Sequence, residues 1–119
     1  TNGMREVATV LESTAHMIVA GDAQANDPTT RELVAALESV LRARGQRYLM
    51  ANVPEERLEE VRRVLPGLNG PTVIRVLDGG KFVAVHAVVA AKTIYRTIAE
   101  LKTLGAEGIL VTRIERLMA

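Results

Sequence analysis

The stretch Tyr48–Thr72, YLMANVPEERLEEVRRVLPGLNGPT, decides the fold. It reads strand, turn, amphipathic helix, rigid loop, strand. Tyr48 to Val53 is the strand. Pro54 stands at a helix start, where the N–H that proline lacks would have no partner. Glu55 and Glu56 follow in the first turn, where carboxylates meet the positive end of the helix dipole. Leu58, Val61, Val64 and Leu65 then recur at the spacing that turns one helix face to a core. The exit, Pro66-Gly67-Leu68-Asn69-Gly70-Pro71-Thr72, sets two prolines and two glycines within seven residues and ends on a hydroxyl. Such a loop is either a well-made turn or one rigid wall of a small-ligand site.

Downstream, the same unit is written again. Thr72 to Leu77 reads as a second strand, Asp78-Gly79-Gly80 as a hairpin turn, and Lys81 to Val89 as a third strand. Lys92 to Leu104 is a helix with Ile94, Ile98 and Leu101 on one face. Gly105 ends it, and Gly108 to Thr112 leads a fourth strand. Gly67, Gly70, Val73 and Arg75 recur 38 positions later as Gly105, Gly108, Val111 and Arg113. The order βαββαβ predicts an α+β fold over 46–119, a ferredoxin-like plait with an antiparallel four-stranded sheet. That fold serves many functions and implies none by itself.

Upstream, Val7 to Ala20 is rich in β-branched residues and bounded by Gly21-Asp22, which predicts one long or bent strand. Asp22 to Thr30 is small and polar, broken at Asp27-Pro28, and reads as a linker. Thr29 or Thr30 is expected to cap the next helix. Leu33, Val34, Leu37, Val40 and Leu41 recur at helical spacing until Arg44-Gly45. Arg42 and Arg44 suit its negative end. Three regions result: a strand-bearing segment 1–22, a linker and helix 23–45, and the plait 46–119.

Composition narrows the function. The chain has 119 residues, 48% hydrophobic but 3% aromatic, so one domain with an aliphatic core is expected. A net charge of +1 with interspersed signs offers no basic field for nucleic acid. Gly79 to His86 is similar to an RNA-recognition signature, but a histidine stands at its last aromatic position. The chain has no cysteine, which excludes disulfides, thiolate catalysis and cysteine zinc sites and is compatible with a reducing cytoplasm. No apolar run approaches a membrane span, and no secretory signal is visible. His16 and His86 lie on different predicted strands without acidic partners at ligand spacing, so no metal site is expected. No serine–histidine–acid set is arguable, and no catalytic residue is assigned. Arg57, Glu59, Glu60, Arg62 and Arg63 read as a solvated helix face. The opening Thr1-Asn2-Gly3, without a methionine, points to a fragment.

Several short pieces, in order and at matching spacing, carry a resemblance. They are Asn2-Gly3-Met4, Leu11-Glu12-Ser13-Thr14-Ala15, Ile18-Val19-Ala20, Asn52-Val53-Pro54-Glu55, Leu65-Pro66-Gly67, Gly70-Pro71-Thr72-Val73, Phe82-Val83-Ala84-Val85, Leu104 to Val111, and Ile114 to Met118. Across essentially its whole length the chain resembles the carboxy-terminal part of the long form of ATP phosphoribosyltransferase, the first enzyme of histidine biosynthesis. The resemblance places residues 1–22 in the tail of the catalytic region. It makes 46–119 a regulatory domain that binds free L-histidine and feedback-inhibits a cytoplasmic hexameric parent, with regulatory domains packing together. It implies magnesium for the parent and no cofactor for this segment. The family's Thr-Gly-x-Thr phosphate loop has no counterpart in these 119 residues, so the chain alone is expected to be inactive.

Carried over position by position, the resemblance assigns the effector pocket to Asn52, Leu68, Thr72, Val88 and Gly108. Some members carry aspartate where Asn52 stands; an amide still hydrogen-bonds an imidazole or ammonium but without the charge-assisted part. In a split-βαβ sheet the end of the first strand neighbours the start of the fourth. The Pro-Gly loop with Leu68 and Thr72 lies at the other end, so a pocket shared by two chains is expected. The alternatives are a free-standing small-molecule sensor of this fold and a pure oligomerisation module.

Overall fold

The structure, a computed structural model, describes residues 13–76 and 80–118. The elements are α1 (Asp22–Ala25), α2 (Pro28–Arg44), β1 (Gln46–Pro54), α3 (Leu58–Val64), β2 (Thr72–Arg75), β3 (Phe82–Ala90), α4 (Ile94–Thr103) and β4 (Glu107–Arg113). One 3₁₀ turn, Glu55–Arg57, leads into α3 and another, Ala91–Thr93, into α4. The four strands form one antiparallel sheet in the order β2-β3-β1-β4, the ferredoxin-like arrangement expected from the sequence.

Alternation along the strands sorts the side chains onto two faces. Leu49, Ala51 and Val53 of β1 and Val83, Val85, Ala87 and Val89 of β3 form the buried face. Val61 and Leu65 from the first helical segment and Leu101 from α4 pack on it, all fully buried. Leu58, Val64, Ile94 and Ile98, read from helical periodicity, pack around that core. The opposite face carries Tyr48, Met50 and Asn52 on β1, opposed across the ladders by Ala84, His86 and Val88 on β3. Thr72 and Ile74 of β2 and Leu110 and Thr112 of β4 extend it. No side chain of this open face belongs to the hydrophobic core.

The internal repeat has a conformational cause. Gly67, Gly70, Gly105 and Gly108 all have positive φ, 53°, 83°, 82° and 57°, a region that costs other residues strain. At Gly108 this makes a bulge. Met50 pairs with Leu110 and Asn52 with Glu107, so Gly108 and Ile109 together oppose Ala51.

Upstream of the plait the structure departs from the sequence reading. Residues 13–20 form no strand; they are exposed and pair with no described strand, and residues 7–12 of that predicted strand lie outside the described residues. A β-branched segment becomes a strand only when it pairs with a neighbour, and residues 13–20 pair with none of the four strands. Within the predicted linker, Asp22–Ala25 closes one helical turn. The cap of α2 is Asp27, which accepts from the Thr29 N–H at 2.9 Å with Pro28 at the first helical position, rather than Thr29 or Thr30. We expect Asp27→Ala to cost α2 about 1 kcal/mol. Amide exchange in α2 then speeds by about fivefold while β1 amides are unchanged. Of the predicted hairpin turn Asp78-Gly79-Gly80, Asp78 and Gly79 lie outside the described residues.

The leucines of α2 point away from the plait. Leu33, Leu37 and Leu41 are 52%, 52% and 62% exposed. The buried positions of α2 are Ser39 and Ala43, on the other side of the helix. There the Leu117 N–H donates to the Ser39 carbonyl, and Arg42 reaches the Leu117 carbonyl.

Candidate functional site

The five residues assigned to the effector pocket divide into two groups. Asn52 and Gly108 meet at one end of the sheet. A Cβ placed on Gly108 would stand 3.6 Å from Nδ2 of Asn52, so the amide lies against the bare backbone of the bulge. Glycine here leaves the neighbouring backbone open to a ligand, which a side chain would cover.

Leu68 lies at the other end. With Val88 it lines a cavity of about 280 Å³ whose wall also includes Gln46, Val64, Thr93 and Thr97. Thr97 is nearly buried, and its hydroxyl donates to the Thr93 carbonyl at 3.2 Å. The Pro-Gly loop is held by the Gly70 N–H, which donates to the Pro66 carbonyl at 2.8 Å. Leu68 itself is 62% exposed at the tip of this loop.

Thr72 is not at the far end with Leu68. It opposes His86, which in turn opposes Met50, so Thr72 sits at mid-sheet. From Asn52 it is two strands across and two residues along, roughly 10 Å by 7 Å at standard strand spacing and rise. Val88 opposes Tyr48, four residues from Asn52 along β1. Asn52, Thr72 and Val88 share the open face, but one chain does not close a pocket around all five positions.

Two side chains central to that face are absent from the set carried over by resemblance. Tyr48 and His86 are joined at 2.7 Å between the phenol oxygen and Nδ1, their rings edge-on at 87° with centroids 5.7 Å apart. Their diagonal contact depends on the β1–β3 register, which neither strand specifies alone.

A larger cavity, about 470 Å³, is lined by Pro54, Glu55, Glu56, Lys81 and Phe82 beyond the Asn52 end. Its Glu55 is engaged by Arg75 at 3.1 Å. On α3, the hydrogen bond from Arg57, more than its charge, holds the Glu60 carboxyl below the usual carboxylate range. That pair is the solvated helix face expected there. Among the described residues no group of three or more His, Asp or Glu side chains is placed to hold a metal. Among the described residues no helix is long and apolar enough to cross a membrane.

Residues 43–116 match the family described as HisG, C-terminal domain. An ATP phosphoribosyltransferase of Gemmatimonas aurantiaca is 64% identical over 98% of this chain, which spans 42% of that relative. Proteins of the same name are 48% identical in Halorubrum lacusprofundi and 43% identical in Methanosarcina barkeri, again over 98% of this chain and 40% and 42% of their own lengths. The chain thus spans about two fifths of the length of these relatives. With 74 of its 119 residues inside the family match and relatives this similar, the chain belongs to the HisG C-terminal domain family.

Proposed function

We propose that this chain is the regulatory part of an ATP phosphoribosyltransferase. In this reading it binds L-histidine and feeds that signal back on the first step of histidine biosynthesis. The parent transfers phosphoribosyl from phosphoribosyl pyrophosphate to ATP with magnesium in the cytoplasm, and this part supplies neither the metal nor the reacting groups.

The observation that carries the reading is the meeting of Asn52 with the bare backbone of Gly108, at the opposite end of the open face from Leu68 and Val88. An amino acid needs both kinds of surface. Its ammonium takes carbonyl oxygens and the Asn52 amide. Its carboxylate takes N–H groups and a hydroxyl such as Thr72. Its ring packs on Leu68 and Val88. Two copies complete the pocket, one giving Asn52 and Gly108, the other the Pro-Gly loop. The open face, apolar or neutral over nearly all its area, favours such covering by a second copy, here within a hexamer. Histidine that favours one arrangement of subunits shifts activity by the coupling it makes, commonly about 1–3 kcal/mol per site.

A thermal shift against the twenty amino acids tests this. L-histidine alone raises the midpoint, because a ligand that binds only the folded form stabilises it, by about 2.7 kcal/mol at a hundred times Kd. A flat response to all twenty, in this chain and in the full-length enzyme, sinks the reading. In the same assay Asn52→Leu keeps the side-chain size but removes its hydrogen bonds. It weakens histidine about tenfold, a loss on the scale of one ligand group left unpaired. Unchanged affinity would remove Asn52 from the pocket.

A further inference from the structure

We propose that Glu107 supplies the negative charge of the effector site, pairing with the cationic α-ammonium of the bound amino acid. The inference rests on the histidine-binding reading and adds a residue to it. Glu107 is the first residue of β4 and stands directly across the ladder from Asn52. Side chains so paired have Cβ atoms about 4.5–5.5 Å apart, close enough for both to reach one ligand group. The Gly108 bulge follows at once, so carboxylate, amide and bare backbone converge on one corner of the sheet.

Charge singles the residue out. The remaining ladder positions of the open face carry no Asp, Glu, Lys or Arg among the described residues; Arg47, Arg75 and Arg113 fall on the other face by alternation. Glu107 is exposed and makes no ion pair with any described residue. A lone carboxylate on an otherwise neutral face neither stabilises the fold through a partner nor belongs to a solvated charge network. It attracts a cation, and covering the corner with a second copy strengthens that attraction by excluding water. Asn52 contributes an amide oxygen but no charge, so it does not discriminate an ammonium from a neutral donor. Glu107 does.

Isothermal titration of this 119-residue chain and its Glu107→Gln and Glu107→Asp variants with L-histidine decides the matter. The second probe is 3-(imidazol-4-yl)propionate, which keeps ring and carboxylate but lacks the ammonium. Glu107→Gln should weaken L-histidine about tenfold, and Glu107→Asp should recover part of that loss. The deamino probe should bind the parent chain and Glu107→Gln equally. Because residue 107 is exposed at a strand end, all three proteins should melt together, which their unfolding curves check. If the parent chain binds L-histidine and Glu107→Gln binds it as tightly, the proposal is overturned while the histidine reading stands. An equal loss for both probes also overturns it, since the carboxylate would then act without the ammonium. If neither the unsubstituted chain nor the full-length enzyme binds either probe, the histidine reading fails and takes the proposal with it.

Discussion

Leu49→Ala destabilises the plait by about 2–5 kcal/mol, the range for truncating a buried leucine that cannot be repacked. Leu49 is fully buried on the central strand β1, between β3 and β4, with the helices above it. Neighbours on every side are held by ladder hydrogen bonds or by helix packing, so the space left by three lost carbons does not collapse. Small domains are stable by only about 5–15 kcal/mol, so the variant loses a large share of its margin. Urea unfolding should show a lower midpoint with an unchanged slope. A cost below about 1.5 kcal/mol would mean that Leu49 is not at the centre of the core. Leu110→Ala is the control on the same sheet. At 58% exposed, it changes stability by roughly 0.5 kcal/mol or less.

Gly108→Val has the largest expected effect on ligand binding. At φ 57° a non-glycine residue pays about 1–3 kcal/mol in backbone strain. The valine branches then extend from a Cβ already 3.6 Å from the Asn52 amide and cover the backbone left open there. Gly108→Ala separates the two effects. It pays similar strain, but its Cβ sits at ordinary contact distance and reaches no further. Both variants should melt earlier than the parent chain, while only Gly108→Val loses the stabilisation by L-histidine. Retained histidine binding in Gly108→Val, measured by titration calorimetry below its melting range, would exclude this corner from the site.

The plait was legible because its signals are local. Helical spacing identified Val61, Leu65 and Leu101 as core residues, and all three are fully buried. The 38-residue echo located four glycines, and all four have the positive φ that glycine alone adopts without strain. The α2 cap was misplaced by two or three residues because aspartate and threonine compete for that role, and Pro28 settled the choice by fitting the first helical turn after Asp27. Residues 13–20 of the strand expected before the plait depart further from the sequence reading. β-branched composition reports fitness for a pleated surface and not the presence of a neighbour, so residues 13–20 stay unpaired.

The candidate site was only partly legible. That Asn52 and Gly108 share an edge follows from strand order alone, and Leu68 was rightly placed at the opposite end. Thr72 was set too far away, because a loop's position does not say at which level the next strand joins its ladder. Neither the Tyr48–His86 bond nor the Asn52–Glu107 pairing was visible. Each depends on register, and a bulge of one residue at Gly108 changes which side chains oppose one another.

Sequence by itself determined the order of elements, the aliphatic core and the positions where the backbone must turn. Those depend on periodicity and conformational preference within a few residues. Tertiary structure alone decided which faces remain uncovered, including the α2 leucines and the open sheet, and which polar groups meet at its corner. Those properties belong to pairs of residues far apart in the chain, brought together only when strands choose their neighbours and their register.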